Sequence, residues 1–248
     1  MKAIFIAAGS GSRLGNITKN LPKPLVDING KSILERQITL LKKNNIDEIV
    51  IVTGYLKEKF ELKNVEYIFN PLYSVQEQAC SLMSARNMFD DDILIMFGDI
   101  LFDEKILKQI LNTDDDIVIA IDKDWEKSYD ERLDNPKSKA DKVLVENNKI
   151  LEISANVVLS DDADIGELLG IIKLSVKGAK KLLDIYEKLE KYHTGKFHDA
   201  ESFEKAKFVD ILQELLQNKV NIVPVSINGK WCEIDTLDDL NRAKKLFV

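Results

Sequence analysis

The amino-acid sequence predicts an α/β fold: a mixed, mainly parallel sheet flanked by helices, with a hairpin-containing second half. Three observations lead there. Runs such as AIFIAA, IVIVT and ILIMF are apolar without alternation, as in strands buried on both faces. Amphipathic stretches with helical spacing lie between them, so strand and helix alternate through the first half. Glycine closes several of the runs, at Gly9, Gly54 and Gly98, and places turns at their ends.

Taken in order, Ala3–Ala8 is a buried strand. Ser32 caps a helix, ILERQITLLKKNN, whose Ile33, Ile38 and Leu41 recur at helical spacing. IVIVTGY and VEYIFN are the next two strands. A helix is expected over Glu77–Met88, a strand at Ile93–Phe97, a helix from Asp103 to Leu111 and a strand at Ile117–Ile121. The stretch Asp122–Lys139 (DKDWEKSYDERLDNPKSK) is charged and weakly periodic, and reads as either a mobile substrate-covering loop or a solvated surface loop. KVLVENNKILEIS reads as a hairpin, because Asn147 and Asn148 tolerate positive φ. Helices are expected over Val176–Lys191, Glu204–Gln217 and Leu237–Leu246, with strands at NIVPVSI and KWCEID. No repeat, low-complexity tract or Pro/Gly-rich linker interrupts the chain. Residues 1–248 are therefore expected to form a single domain with two halves, 1–121 and 122–248.

Composition narrows the function. A net charge of −7 disfavours nonspecific binding to nucleic acid or an anionic membrane, while leaving room for a local basic pocket. Cys80 and Cys232 are far apart and share no metal-ligand spacing, so reduced thiols are expected. The N-terminal apolar run is too short for a secretory signal, and no segment approaches the roughly 20 apolar residues of a membrane span. A cytoplasmic protein is expected, and a homo-oligomer is left open.

The stretch AAGSGSRLGNITKNLPKPL, Ala7–Leu25, follows the first strand. A dinucleotide fingerprint needs glycine at its sixth position, where this chain has Leu14, and the next strand ends in Thr53-Gly54 with no acidic residue for a ribose. The Walker lysine is missing too. A phosphate site still fits. Gly9 and Gly11 allow close approach of backbone N–H groups to an anion, with Ser10 and Ser12 adding little bulk. Arg13 offers a guanidinium fork suited to phosphate oxygens. Pro22 and Pro24 are expected to hold Lys23 extended and aimed at a fixed target. A glycine turn with a solvated Arg and Lys is the alternative. Asp99 follows a buried strand and a glycine, so its carboxylate should emerge at the carboxyl edge of the sheet, where ligands sit in open α/β folds. Asp235 ends a late strand in the same way, with Thr236 as a helix N-cap. If the two strand ends converge, the pair suits Mg²⁺, which takes one or two carboxylates plus phosphate oxygens.

The order GSGSRLGNITKNLPKPL, FGD, EIDTLDDL resembles the nucleotidyltransferase superfamily typified by sugar-1-phosphate nucleotidylyltransferases. In length and in its GSR spelling the chain is similar to the small cytidylyltransferases acting on phosphocholine, aminoethylphosphonate or related acceptors. The resemblance implies a Rossmann-like, nucleotide-diphospho-sugar transferase-like fold, with 1–121 binding nucleotide and 122–248 binding the acceptor and closing the site. It implies that Ala7, Ala8 and Gly9 contact base and ribose, that Gly11, Ser12 and Arg13 hold the triphosphate with Ser10 a further nucleotide contact, and that Lys23 neutralises the α-phosphate and the acceptor phosphate. It implies further that Asp99 and Asp235 bind Mg²⁺, and that an acceptor phosphate or phosphonate oxygen attacks the α-phosphorus of the nucleotide, releasing pyrophosphate.

The departures from the pattern matter. The sugar enzymes usually carry Thr at the place of Ser12 and Pro at that of Asn16. Phosphocholine-type relatives tend to have paired asparagines where this chain has Glu77 and Gln78. Gln78 could still read a base edge, with Ser81 a further nucleotide contact, or both could be helix-surface residues. CTP is favoured, with UTP and dTTP open. For the acceptor, Trp125, Tyr129 and Trp231 could form a cation-binding aromatic site or be ordinary packing. Glu167 or Asp130 could hold a primary amine, and Lys142 the acceptor phosphate. A sugar-1-phosphate nucleotidylyltransferase, a nicotinamide oxidoreductase and a silent nucleotide-binding domain are the alternative functions.

Overall fold

The computed structural model describes residues 1–129, 132, 134–157 and 163–248. In chain order the strands begin with β1 (Lys2–Ala7), the short β2 (Asp27–Ile28) and β3 (Lys31–Ser32), β4 (Glu48–Thr53), β5 (Glu66–Phe69), β6 (Ile93–Phe97) and β7 (Ile100–Phe102). They continue with β8 (Ile117–Asp122), β9 (Lys142–Glu146), β10 (Lys149–Ser154), β11 (Asp164–Leu174), β12 (Val223–Ser226) and β13 (Trp231–Glu233). The helices are α1 (Ile33–Lys43), α2 (Gln78–Met83), α3 (Glu104–Leu111), α4 (Val176–Tyr192), α5 (Phe208–Gln217) and α6 (Leu237–Leu246).

Nine of these strands form one sheet that runs through both halves of the chain. β1 lies between β4 and β6, all parallel, and β5 extends β4 in the same sense. The long β11 then reverses direction. Its last residues, Ile171–Leu174, pair with β6, its first, Asp164–Glu167, with β9, and it also pairs with β8. β12 adds parallel to β8, so the sheet is mixed. β9 and β10 form the expected hairpin, with Asn147 and Asn148 at φ 49 and 62.

The unbroken apolar strands are explained by packing on both faces. In β1, Ile4 points into one layer with Leu82, Leu182 and Leu212 from α2, α4 and α5. Its neighbours Ala3 and Phe5 point into the other, with Leu34, Leu41 and Ile106 from α1 and α3. Alternate residues along a strand face opposite sides, and here both sides are dry. A third cluster, including Leu14, Ile28, Ile234 and Leu240, packs the Gly-rich segment against α6.

Two expected helices are shorter than their sequence pattern. The stretch Glu77–Met88 yields only α2 and a separate 3₁₀ turn at Arg86–Met88, and Glu204–Gln217 yields a 3₁₀ turn at Phe203–Lys205 before α5. At the start of α2 the free N–H groups find tertiary partners: Glu77 N–H donates to Glu204 O, and Ala79 N–H to Ala206 O. Among the described residues no helix is long and apolar enough to cross a membrane.

Candidate active site

The site forms at the carboxyl ends of β1 and β6, where an open α/β sheet leaves a crevice. After β1 the chain turns through Gly9–Gly11 into a 3₁₀ segment, Ser12–Ile17. Gly11 has φ +61, and a Cβ there would stand 2.7 Å from the Cβ of Lys23. Glycine is thus required twice over, by the backbone angle and by the side chain laid against it. After β6, a Cβ on Gly98 would meet Pro24 Cγ at 2.7 Å. Pro24 packs onto the turn that carries Asp99 and sets Lys23 beside it.

Lys23 differs from expectation. It is not extended: it opens a one-turn 3₁₀ helix, Lys23–Leu25, closed by Leu25 N–H to Pro22 O (2.9 Å) and Val26 N–H to Lys23 O (3.1 Å). Pro24 fits the start of that turn because the N–H it lacks would find no helical partner there. The effect is still to immobilise Lys23, which is buried at 7% exposure.

The second carboxylate arrives by strand pairing. β13 runs antiparallel to β7, with Glu233 opposite Ile100, and Ile234 N–H donates to Asp99 O at 2.9 Å. Thr236 caps α6 in a capping box with Asp239, whose carboxylate also accepts from the Asp235 N–H at 3.1 Å. The EID segment is thereby held with its acids facing Asp99.

Four charges from three separated segments meet as a result. Lys23 Nζ donates to Asp99 Oδ2 at 2.8 Å and also to Asp235 Oδ1, and Arg13 Nη2 lies 2.8 Å from the same Asp235 oxygen. Burial alone would lower the Lys23 pKa, but the charges of Asp99 and Asp235 outweigh it and hold the ammonium protonated well above the usual lysine range. For Asp235, burial is outweighed by Lys23 and Arg13, and the carboxyl stays below its ordinary value. Glu233 goes the other way: burial, reinforced by Asp235 and Asp99, raises it. Asp99, Glu233 and Asp235 each offer a carboxylate oxygen within 4.8 Å of the others. Crowded oxygen donors of this kind suit a hard divalent cation, which would relieve their mutual repulsion.

Two cavities open onto this cluster. One, of about 520 Å³, is lined by Ala7, Gly9–Arg13, Lys23, Gln78, Ser81 and Asp99. The other, of about 490 Å³, is lined by Asp99, Glu233, Asp235, Trp231, Tyr129 and Glu167 among others. Arg13, Gln78 and Asp99 border both, so two ligands would meet at the carboxylates.

Residues 3–187 match the MobA-like NTP transferase domain. The chain belongs to that family. This NTP transferase is 30% identical to a CTP:phosphoglutamine cytidylyltransferase of Campylobacter jejuni, over 97% of this chain and 98% of that protein. A choline-phosphate cytidylyltransferase of Haemophilus influenzae is 44% identical over 99 residues, covering 38% of this chain and 42% of the relative. Among solved structures, the CTP:phosphocholine cytidylyltransferase of Streptococcus pneumoniae aligns with a TM-score of 0.73 and 22% identity, over 100% of this chain and 99% of that one. An inositol-1-phosphate CTP transferase from T. maritima gives 0.75 and 23%, over 99% and 94%. At such identities the two structures establish the fold, which is that of a mixed α/β nucleotidyltransferase.

The remaining expected residues scatter. Ala8 lies beside the first cavity, its carbonyl accepting from Tyr55 N–H at 3.0 Å. Gln78 faces both cavities and its side-chain oxygen accepts from Phe208 N–H at 3.2 Å; Ser81 Oγ accepts from Asn70 at 3.1 Å. Trp125 packs edge-on against Tyr129 and borders neither cavity, and Lys142 Nζ is spent on Ala155 O at 2.6 Å. Trp231 borders the second cavity and donates its indole N–H to Asp122 at 2.8 Å. Asp130 lies outside the described residues.

Five further residues, Glu233, Asp239, Arg132, Gln37 and Asn135, join the site without having been named from the sequence. Glu233 stands two positions before Asp235, the spacing that puts extended-chain side chains on one face, so the EID motif did carry that signal. Asp239 was readable as the third residue after a Thr N-cap. Arg132 and Gln37 carried none. Arg132, from the charged segment 122–139, is buried against Asp239 (Nε to Oδ1 2.6 Å). Asn135 of the same segment reaches Asp235 at 3.3 Å. The described part of that segment is therefore anchored to the site.

Proposed function

We propose that this NTP transferase is a cytidylyltransferase that transfers CMP from CTP to a small phosphorylated or phosphonate acceptor and releases pyrophosphate. The observation that carries the reading is the convergence of Arg13, Lys23, Asp99, Glu233 and Asp235 where the two cavities meet. The comparisons with cytidylyltransferases support it. The nucleotide occupies the cavity lined by Gly9–Arg13, its phosphates against backbone N–H groups and the Arg13 guanidinium. The acceptor occupies the other cavity. One of its phosphate oxygens attacks the α-phosphorus, forming an O–P bond as the α–β bridging bond breaks and pyrophosphate leaves with that electron pair. The attacking oxygen is already deprotonated near pH 7, so no general base is required. Lys23, protonated throughout, neutralises charge on the transferring phosphoryl group, and positioning supplies the rest.

Asp99, Glu233 and Asp235 would hold Mg²⁺ here, their clustered oxygens suiting that ion. When bound it would offset the negative charge of the α-phosphate and of the departing pyrophosphate. In the protein by itself Lys23 and Arg13 carry that balancing charge.

The test is a pyrophosphate-release assay crossing CTP, UTP, dTTP and ATP with phosphocholine, aminoethylphosphonate, glycerol phosphate, amino-acid phosphates and hexose 1-phosphates. Release is expected with CTP, Mg²⁺ and a non-sugar acceptor together, and to be abolished in Asp99→Ala. Preference for UTP or dTTP with a hexose 1-phosphate would replace this reading by the sugar-nucleotide one. Turnover unaffected by Asp99→Ala or by chelation would remove the metal.

A further inference from the structure

The wall of the acceptor cavity has a polar group left without a partner. Glu167 sits on β11 at 4% exposure and borders the cavity. Its Oε1 accepts from the Tyr129 hydroxyl, while Oε2 finds no partner among the described residues. Leaving a buried carboxylate oxygen unmatched is costly, and a group that donates a hydrogen bond to it favours the ionised form. Two neighbouring cations have carboxylate partners of their own, although the Arg132 Nη1 stays without one among the described residues. Arg132 serves Asp239 and Glu233, and Lys207 Nζ pairs with Asp141 at 3.0 Å.

The aromatic groups around it do not form a cage for a methylated cation. The Tyr129 ring already has the Arg132 guanidinium over it, 4.4 Å from its centroid. Trp125 meets Tyr129 edge-on and lies off the cavity, so among the described residues Phe97 and Trp231 are the uncommitted aromatic rings along its wall, and no stacked pair of rings links them to Glu167. A quaternary ammonium needs aromatic faces and has no N–H to give. A primary ammonium has three.

Resting on the cytidylyl-transfer reading above, we infer that the acceptor carries a primary ammonium at the end remote from its phosphate, and that Glu167, braced by Tyr129, recognises it. Glu167 is thus a specificity-determining residue. It selects aminoalkyl phosphates, aminoalkyl phosphonates or phosphorylated amino acids over their N-methylated counterparts.

The experiment is a steady-state series with CTP, Mg²⁺ and the full chain, in which only the acceptor's nitrogen changes: ethanolamine phosphate, its mono- and dimethyl derivatives, and choline phosphate, with glycerol phosphate as an uncharged reference. Loss of a hydrogen bond to a charged group is expected to lower kcat/KM by about 10- to 100-fold between the first and last of the amine series. Glu167→Gln is expected to shrink that ratio to within about threefold by raising KM for the primary amine, with KM for CTP unchanged. The wild-type series decides the matter even if the variant is unstable. Equal or better use of choline phosphate, or a preference that survives Glu167→Gln, would overturn the inference while pyrophosphate release continues to support CMP transfer. Absence of pyrophosphate with every acceptor, glycerol phosphate included, would overturn the transfer reading itself.

Discussion

At Lys23 one buried ammonium serves two carboxylates, and a third, Glu233, stands close by. Removing the ammonium leaves buried negative charge uncompensated. Lys23→Ala is expected to lower kcat by about 100-fold or more and, in urea unfolding without metal, to cost about 3–5 kcal/mol of stability. Near-normal turnover would take Lys23 out of the reaction. Glu167 supplies a pH prediction. Burial pushes its pKa up to about 7, against the partial relief of the Tyr129 hydrogen bond and Arg132; Asp122 and Asp141 add to the rise. The folded state then holds a proton that the unfolded state releases above the ordinary glutamate range. Glu167's share of stability is accordingly present at low pH and is lost as pH rises from the mid-4s through about 7. At roughly 1.4 kcal/mol per unit this amounts to about 3 kcal/mol, and Glu167→Gln should flatten the curve over that window. A variant curve parallel to the wild type would place the titration elsewhere. Among single residues, Arg13, Lys23, Asp99 and Asp235 stood out in the sequence because their motifs spell out their chemistry. Glu167 was named from the sequence as one of two candidates for a primary amine, on a resemblance and not on a motif that spells out its chemistry.

The elements act by aiming these groups. Helix α1 carries Gln37, buried at 2% exposure, whose side-chain amide donates to Phe97 O at 3.1 Å and to Ile100 O at 2.5 Å. Those two carbonyls flank Gly98 and Asp99, so the helix grips the turn that presents the carboxylate. Gln37→Leu keeps the volume and removes the grip. Under the proposal that Asp99 holds Mg²⁺, it is expected to shift the Mg²⁺ activation curve to about tenfold higher concentration, an effect of the size seen when groups that orient metal ligands are lost. Circular dichroism should remain unchanged. An unshifted curve would reduce Gln37 to a packing residue. In the glycine segment, Gly11→Ala meets both the positive φ and the Lys23 side chain. A loss of about 1–3 kcal/mol in thermal or urea unfolding is expected, together with a raised KM for CTP; an unstrained alanine would refute the close packing. The sequence pattern placed β1, α1, β4, β6, α3 and β8 well, since each buries a face whose period is local. It overextended α2 at its C-terminal end and α5 at its start, where 3₁₀ turns at Arg86–Met88 and Phe203–Lys205 stand apart from the helices; the carbonyls of Glu204 and Ala206 there accept from the start of α2.

For the whole molecule, the decisive joint is the short β7–β13 ladder, which brings Glu233 and Asp235 back to Asp99. The Arg132–Asp239 pair, nearly inaccessible on both sides, fastens the segment 122–139 to the start of α6 above that ladder. Arg132→Ala strands Asp239 in the interior, and about 3–5 kcal/mol of destabilisation is expected. Faster proteolysis within 122–139 should accompany it, and an unaltered cleavage pattern would show that the segment is held by other means. From sequence this stretch read as a solvated or mobile loop, since an arginine among so many charges gives no local sign of burial. By itself the sequence determined the layered α/β architecture and the residue types of a phosphate and metal site, because strand burial, helix spacing and short motifs are written in neighbouring residues. Only the tertiary structure decided which charges share one centre, and which carboxylate faces the acceptor. Lys23 meets partners 76 and 212 positions away, and electrostatic coupling follows distance in space, which no local pattern records.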